Sequence, residues 1–400
     1  MRIVLAPDSY KGSLSALEAA NSMEKGILAL LPHAVVEKVP MADGGEGTVD
    51  ALLAGAGGKK YFLKVTGPLG EPVQAFYGIL LDGTAVIEMA AASGLTLVPK
   101  GQRNPLCTTT FGTGELIKAV LDQGCTRIII GIGGSATNDG GVGMAQALGV
   151  SFLDGAGKEL GFGGGQLAKL KNIGLDNLDA RIKETEILVA CDVDNPLIGP
   201  FGASRVFGPQ KGADSQVVAE LELGLINLAE VVEKDLGMKI RQVPGGGAAG
   251  GLGAGLLVFL KAKLVSGFTM IAEATDLEGK IARADLVITG EGKTDAQTAH
   301  GKAPMGVGKL AKKHGVIAVA ISGSLEGDLS KLYEVGLIGL FSITPGPMTL
   351  ECAMTEAPTL LRNATSNVVR LLVESRNFLH CHPERSEGSP PKKYPKGLKL

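Results

Sequence analysis

Short β-forming runs that end in glycine and aspartate recur along the whole chain, with stretches of helical apolar spacing between them. RIVLAPD is followed by SLSALEAANSMEKGILALL and VVEKVPMADGGEG; later come RIIIGIGG, EILVACDVD, DLVITGEG, VIAVAISGS and GLFSITPG. A strand, a helix and another strand in succession require a crossover, so the pattern predicts parallel strands with helical connections. In the first helical stretch Ser15 and Glu18 have the spacing of a capping box. Ala16, Ala19, Ala20, Met23, Ile27 and Leu30 recur as an apolar stripe that faces a core.

The texture changes over residues 61–97, where YFLKVTGPLGEPVQAFYGILLDGTAVIEMA reads as strands joined by Gly/Pro turns without intervening helices. Alternating strand and helix patterns return from about residue 281. The expected fold class is therefore α/β in two domains: a doubly wound, Rossmann-like parallel-sheet domain formed by both chain ends (1–62 and 278–376) and an inserted mixed α/β domain (63–277). A length of 400 residues fits two cores better than one. From Asn377 onward periodicity gives way to proline and lysine, which predicts a disordered tail over 377–400. His380 and His382 flank Cys381 there, but no distant ligand pair completes a metal site.

Composition removes several function classes. A net charge of −2 and a pI near 6.3 supply no basic field for nucleic acid or an anionic membrane, so neither is expected as a partner. The five cysteines are scattered, odd in number and without CxxC spacing, which fits a reducing cytoplasm better than a disulfide framework or zinc site. The apolar run before Pro7 and Asp8 is too short for a signal peptide. The uncharged stretch Val243 to Leu260 is rich in glycine and reads as a loop entering a buried helix rather than a membrane span.

Glycine is the unusual residue, 59 of 400, about twice the average usage and without a collagen period. Six clusters stand directly after predicted strands, where parallel strands present ligand loops: residues 8–13, 42–48, 133–141, 191–196, 245–251 and 289–295. Bare N–H groups that hold phosphate, lysines that neutralise charge and carboxylates that position magnesium or take a hydroxyl proton together are the parts of phosphoryl transfer. DGGEG sets Asp43 and Glu46 close together beside Gly44, which is repulsive unless a cation or donor compensates. Asp192 and Asp194, alternate residues of an extended segment, are candidates to share a metal. Ser13 and Ser15 also fit simple helix capping, and Lys293 and Lys302 also fit solvated surface positions.

Two short motifs point elsewhere. GEGKT at Gly290 to Thr294 ends like a P-loop, but Val287 stands where the leading glycine is needed. Gly131 to Ala136 fits GxGxxG/A after a strand, with Asp154 at a suitable distance, so an NAD-dependent oxidoreductase acting on a small hydroxy acid is the alternative. That motif is weak alone, and it leaves five clusters unexplained.

APDSYKGSLSA, PMADGGEGT, GIGGSATNDGG, ACDVDNPLIGPFGA, VFGPQKGA, GAAGGLGAG and TGEGKTDAQTAHGKAPMGV are similar, in order, to the signature blocks of the bacterial glycerate kinase family of the glycerate 2-kinase type, over residues 1 to about 375. Tyr10 and Lys293 stand where phenylalanine and arginine are common. The resemblance implies ATP-dependent phosphorylation of D-glycerate with Mg2+, giving 2-phosphoglycerate rather than 3-phosphoglycerate in glyoxylate or glucarate catabolism, from a cleft in a two-domain α/β fold; a monomer or homodimer is expected. On it rest the expected roles. Lys11 and Ser13, with Asp8 and Ser9, anchor an anionic substrate or the transferring phosphate. Asp43 takes or orients the hydroxyl proton, with Gly44 and Glu46 beside it. Asp192 and Asp194 hold magnesium. Gly133, Gly134, Ser135, Thr137, Asn138 and Asp139 bind substrate or phosphate, and Thr289, Glu291, Lys293 and Asp295 complete the site.

Overall fold

The computed structural model describes residues 1–42, 44–296, 298 and 302–380, the last six of these by their backbone only. It divides into two units, Met1–Ala42 with Ile271–Leu400, and Asp43–Met270.

The first unit is built on a five-stranded sheet in the order Leu337–Ser342, Ile317–Ser322, Leu286–Gly290, Arg2–Pro7, Val35–Lys38, parallel throughout. Its three inner strands are largely apolar and buried, with Ile3, Val4, Leu5 and Ala6 fully so, as strands covered on both faces must be. Helix Ala16–Leu28 starts at the predicted capping box: Glu18 N–H donates to the Ser15 hydroxyl, and the Glu18 carboxylate accepts from Ser15 N–H. Its stripe of Ala19, Ala20, Met23 and Ile27 is buried in one core with Leu361, Val368 and Val369 of the helix Ala357–His380. Gly26 lets the two helices touch: a Cβ there would strike the Arg362 carbonyl, and Ser366 Oγ donates to Gly26 O at 2.9 Å.

The second unit carries a six-stranded mixed sheet in the order Lys263–Val265, Glu186–Ala190, Arg127–Gly131, Ala85–Glu88, Pro72–Leu80, Gly58–Thr66. The first four are parallel and the last two antiparallel. A long helix, Ser215–Leu236, is capped by Asp214 at its start and by Gly237 in the left-handed region at its end. Residues 248–251 turn through left-handed backbone into the buried helix Leu252–Leu260. Among the described residues no helix is long and apolar enough to cross a membrane.

The division between units falls earlier than the expected 62/63 and 277/278. Gly58–Thr66 pairs along its whole length with Pro72–Leu80, from Gly58↔Leu80 to Thr66↔Pro72. The helix before it, Thr48–Ala56, lays Val49 and Leu53 against Gly78 of the same sheet. Backbone pairing, which residue type alone does not reveal, therefore assigns residues 43–62 to the second unit. The tail expected over 377–400 does not start at Asn377, because helix Ala357–His380 continues through it; the rest of that segment, 381–400, lies outside the described residues.

Candidate active site

Apart from Thr289, inside the strand Leu286–Gly290, the predicted residues that are described lie in the segments that follow parallel strands, where bare backbone groups point away from the sheet. In the first unit the chain leaves Arg2–Pro7 through a turn in which Asp8 N–H donates to Gly290 O at 2.8 Å and Tyr10 N–H to Leu14 O at 2.8 Å. Ser9 N–H donates to Asp8 Oδ1 at 2.6 Å. Tyr10 points into the core and donates its hydroxyl to the Ile321 carbonyl; burial, and then the charge of Glu291, push its phenol far above its ordinary range. With Tyr10 anchored below, Lys11 and Gly12 stand exposed at the tip of the loop. Ser13 Oγ donates to Met354 O at 2.6 Å. A depression of about 770 Å3 lies beside it, lined by Gly12, Ser13, Leu350, Glu351, Met354 and Thr355.

The loop after Leu286–Gly290 packs against that turn, because Gly292 has no side chain: a Cβ there would lie 3.2 Å from Lys11 N. Glu291 is buried. It accepts from Thr298 Oγ1 at 2.6 Å and Thr294 Oγ1 at 3.1 Å, and Lys302 Nζ lies 3.5 Å away. Lys293 is exposed and pairs with Glu326 at 2.5 Å and Asp295 at 3.8 Å; Glu326 above all holds its ammonium above the ordinary range. Asp295 N–H donates to Thr298 Oγ1 at 3.1 Å. Thr289 is fully buried and its hydroxyl donates to Ala6 O at 2.7 Å, so that group ties two strands together.

In the second unit Asp43 lies outside the described residues. The next residue, Gly44, has φ +81° and accepts a 3.0 Å hydrogen bond from Gly133 N–H. Four glycines meet here backbone to backbone: a Cβ on Gly131 would strike Gly44 O, and one on Gly133 would lie 2.7 Å from Gly45 Cα. The glycines of DGGEG and GIGG thus press two loops together as well as freeing N–H groups. Glu46 is exposed.

Asp139 is enclosed at 1% exposure. It accepts from Thr110 N–H and Thr110 Oγ1 at 2.8 Å each, Gly141 N–H at 3.2 Å and Gly143 N–H at 3.3 Å. One carboxylate therefore serves the first turns of two helices, Phe111–Asp122 and Val142–Ala147. Burial raises its pKa while those hydrogen bonds pull the other way. Asn138 Nδ2 donates to Ser204 Oγ at 3.1 Å. Thr137 Oγ1 and Asn138 Oδ1 are buried with no hydrogen-bond partner among the described residues. Gly134 is exposed beside Ser135. Asp192 and Asp194 are both exposed on irregular backbone, and Asp192 Oδ1 accepts from Gly267 N–H at 3.0 Å.

Among the buried charged groups, Glu88 and Lys211 near these loops escaped the sequence reading. Glu88, ending the strand Ala85–Glu88, accepts from Val49 N–H at 2.7 Å at the start of helix Thr48–Ala56. Burial lifts its pKa to about 7 against the hydrogen bonds from Val49 and Gly47. A lone acid in an apolar strand was the available signal. Lys211 lies under the 133–141 loop and donates to Ser135 Oγ and Thr137 O at 2.6 Å each; its signal was a lysine confined between Pro209 and Gly212. Asp154, the residue a dinucleotide fold would need for a ribose, instead accepts from Ala156 and Lys158 N–H in its own turn.

Residues 3–373 match the model of the Glycerate kinase family. The chain belongs to the glycerate kinase family. It is 53% identical over 369 residues to a glycerate kinase of Bacillus subtilis (92% of this chain, 97% of the relative). It is 52% identical over 373 residues to the glycerate 2-kinase of Escherichia coli K12 (93% and 98%). A crystal structure from Salmonella typhimurium LT2, provisionally called glycerate kinase 2, superposes with a TM-score of 0.85 at 48% identity, covering 94% of this chain and 99% of that one. This member of the glycerate kinase family is an enzyme of that type, with a parallel sheet in one unit and a mixed sheet in the other.

Proposed function

We propose that this glycerate kinase transfers the γ-phosphoryl group of ATP to the 2-hydroxyl of D-glycerate, giving 2-phosphoglycerate, with Mg2+ as the divalent ion, in the catabolism of small organic acids. The observation that carries the reading is the 52% identity, over nearly its whole length, to a protein named glycerate 2-kinase. Lys11 anchors anionic oxygens from an exposed loop tip; Ser13, whose hydroxyl proton goes to Met354 O in this structure, joins it by turning that proton to the ligand. Asp43 accepts or orients the substrate hydroxyl proton. Ser135 donates to an anionic oxygen from a loop whose backbone is held below by Asp139. Lys293 and Asp295 offer a cation and an anion on the loop after Leu286–Gly290.

The donor set fits magnesium bound chiefly by substrate. Among the described residues no group of three His, Cys, Asp or Glu side chains could hold a metal, and Mg2+ is commonly held by one or two carboxylates together with phosphate oxygens and water. Asp192 and Asp194 would hold it, the first with one oxygen steadied by Gly267 N–H. When bound, the ion neutralises charge on the phosphate oxygens.

The test is glycerate-dependent ADP release, followed by product analysis. 2-Phosphoglycerate is expected; 3-phosphoglycerate as the main product refutes the regiochemistry, and no turnover with ATP refutes the donor. Asp43→Asn should lower kcat by at least about a hundredfold with an unchanged thermal melt, and near-normal turnover would remove Asp43 from its role.

A further inference from the structure

Lys211, in the short turn Pro209–Lys211, is 2% exposed. A lysine is almost never buried to that extent unless its charge is matched. Its ammonium donates to Ser135 Oγ at 2.6 Å and to Thr137 O at 2.6 Å. The charged group that faces it is Asp139, on the same loop as both acceptors. Arg103 crowds the next residue, Gly212, through its carbonyl and Cβ.

An ammonium can only donate. The Ser135 oxygen therefore receives a proton from Lys211 and must direct its own hydroxyl proton elsewhere. Ser135 stands at 6% exposure, next to exposed Gly134, on the loop at the carboxyl end of Arg127–Gly131. We propose that Lys211 is a positioning residue: as an ammonium it occupies the acceptor side of the Ser135 hydroxyl and turns that hydroxyl's proton toward an anionic oxygen of the bound ligand, either the glycerate carboxylate or a phosphoryl oxygen. The inference rests on the reading of Ser135 as a ligand-binding group.

A pH dependence follows from this arrangement. Burial draws Lys211 down to about 7, with the charge of Asp139 opposing. The neutral amine carries a lone pair and accepts the Ser135 proton, so the hydroxyl turns inward and the ligand loses a donor.

Initial rates are measured for the wild type, Ser135→Ala, Lys211→Met and the double variant, over about two pH units on each side of 7. The ratio of wild-type to Ser135→Ala kcat/KM should be about tenfold at acidic pH and fall toward one through about 7. Titration of Glu88 is common to both enzymes and cancels in the ratio. Lys211→Met should match Ser135→Ala, and the double variant should be no worse than either. A rise confined to KM for glycerate identifies the carboxylate as the ligand oxygen; a rise confined to KM for ATP identifies a phosphate. If Ser135→Ala is as active as the wild type throughout, the role of Ser135 and this inference fall together. If Ser135→Ala is impaired but the ratio is flat with pH, or the double variant shows the product of two separate losses, only the role of Lys211 falls. Should Lys211→Met fail to fold, the ratio of the first two profiles decides alone.

Discussion

Asp139→Ala should be a folding defect before it is a catalytic one. The substitution orphans four donors, Thr110 N–H, Thr110 Oγ1, Gly141 N–H and Gly143 N–H, and removes the anion that faces Lys211. Each orphaned buried donor costs about 1–3 kcal/mol, but the four cannot simply be summed, because water enters the hole left by the carboxylate. Breaking a buried charged pair costs about 3–5 kcal/mol, so we take about 4 kcal/mol. For a unit of this size that lowers the melting midpoint by roughly 8–16 °C. Scanning calorimetry of the purified chain reads the shift directly. Thr110→Val supplies a graded control, since it removes the hydroxyl that donates to Asp139 and accepts from Met144 N–H, and should cost about 2 kcal/mol. A drop below about 2 °C for Asp139→Ala, together with lost turnover, would refute the reasoning and make Asp139 a ligand-binding group.

Three further outcomes test other parts of the structure. Glu88 rises from 4.5 to about 7 on folding, so the folded unit keeps a proton that the unfolded chain releases above 4.5. Its contribution to stability is therefore full below about 4.5 and declines as pH rises through that window, by about 3 kcal/mol; Glu88→Gln should remove that decline from the pH dependence of denaturation midpoints, and an unchanged slope would remove Glu88 as its source. Gly26→Ala gains up to about 1 kcal/mol of helix propensity but drives a Cβ into the Arg362 carbonyl, so a net loss of about 1–2 kcal/mol should appear as a lower melt of the first unit. Asp192→Asn should raise the Mg2+ concentration for half-maximal rate by at least about tenfold, read by titrating the metal at saturating ATP and glycerate; an unshifted curve would take Asp192 out of the ion's coordination.

Local signals were legible in the sequence wherever the responsible residues lie close together along the chain. The Ser15/Glu18 box, the Ala19 to Ile27 stripe and the placing of five Gly/Asp clusters after strands depend on short spacings, and a linear reading captures those; the cluster 245–251 instead follows the helix Ser215–Leu236 with no strand between. What escaped it depends on pairing across the fold. Gly58–Thr66 belongs to the second sheet because of its register with Pro72–Leu80, which propensity does not encode. Lys211 meets Ser135 across 76 residues, and Glu88 meets Val49 across 39. The motif GGSATNDGG was visible as a unit, but the division of labour inside it was not: Asp139 faces inward to backbone donors, and Ser135 lies beside exposed Gly134. Both are buried polar residues in one glycine-rich loop, and only their hydrogen-bond partners, backbone and Thr110 donors for one and the Lys211 ammonium for the other, distinguish them.

The strand Arg2–Pro7 is translated well before Leu286–Gly290, yet it lies between that strand and Val35–Lys38 in its sheet. Asp285, which accepts from Arg2 N–H, is synthesised 283 residues later. At roughly 5–20 residues per second on the ribosome, that edge stays unpaired for on the order of tens of seconds, while the whole of residues 43–270 emerges with every strand of its own six-stranded sheet already present. During synthesis, then, the inserted unit can close first and the unit that begins the chain is the last to be finished, which makes the exposed flank of Arg2–Pro7 the place where a chaperone, or a neighbouring nascent chain, has time to bind.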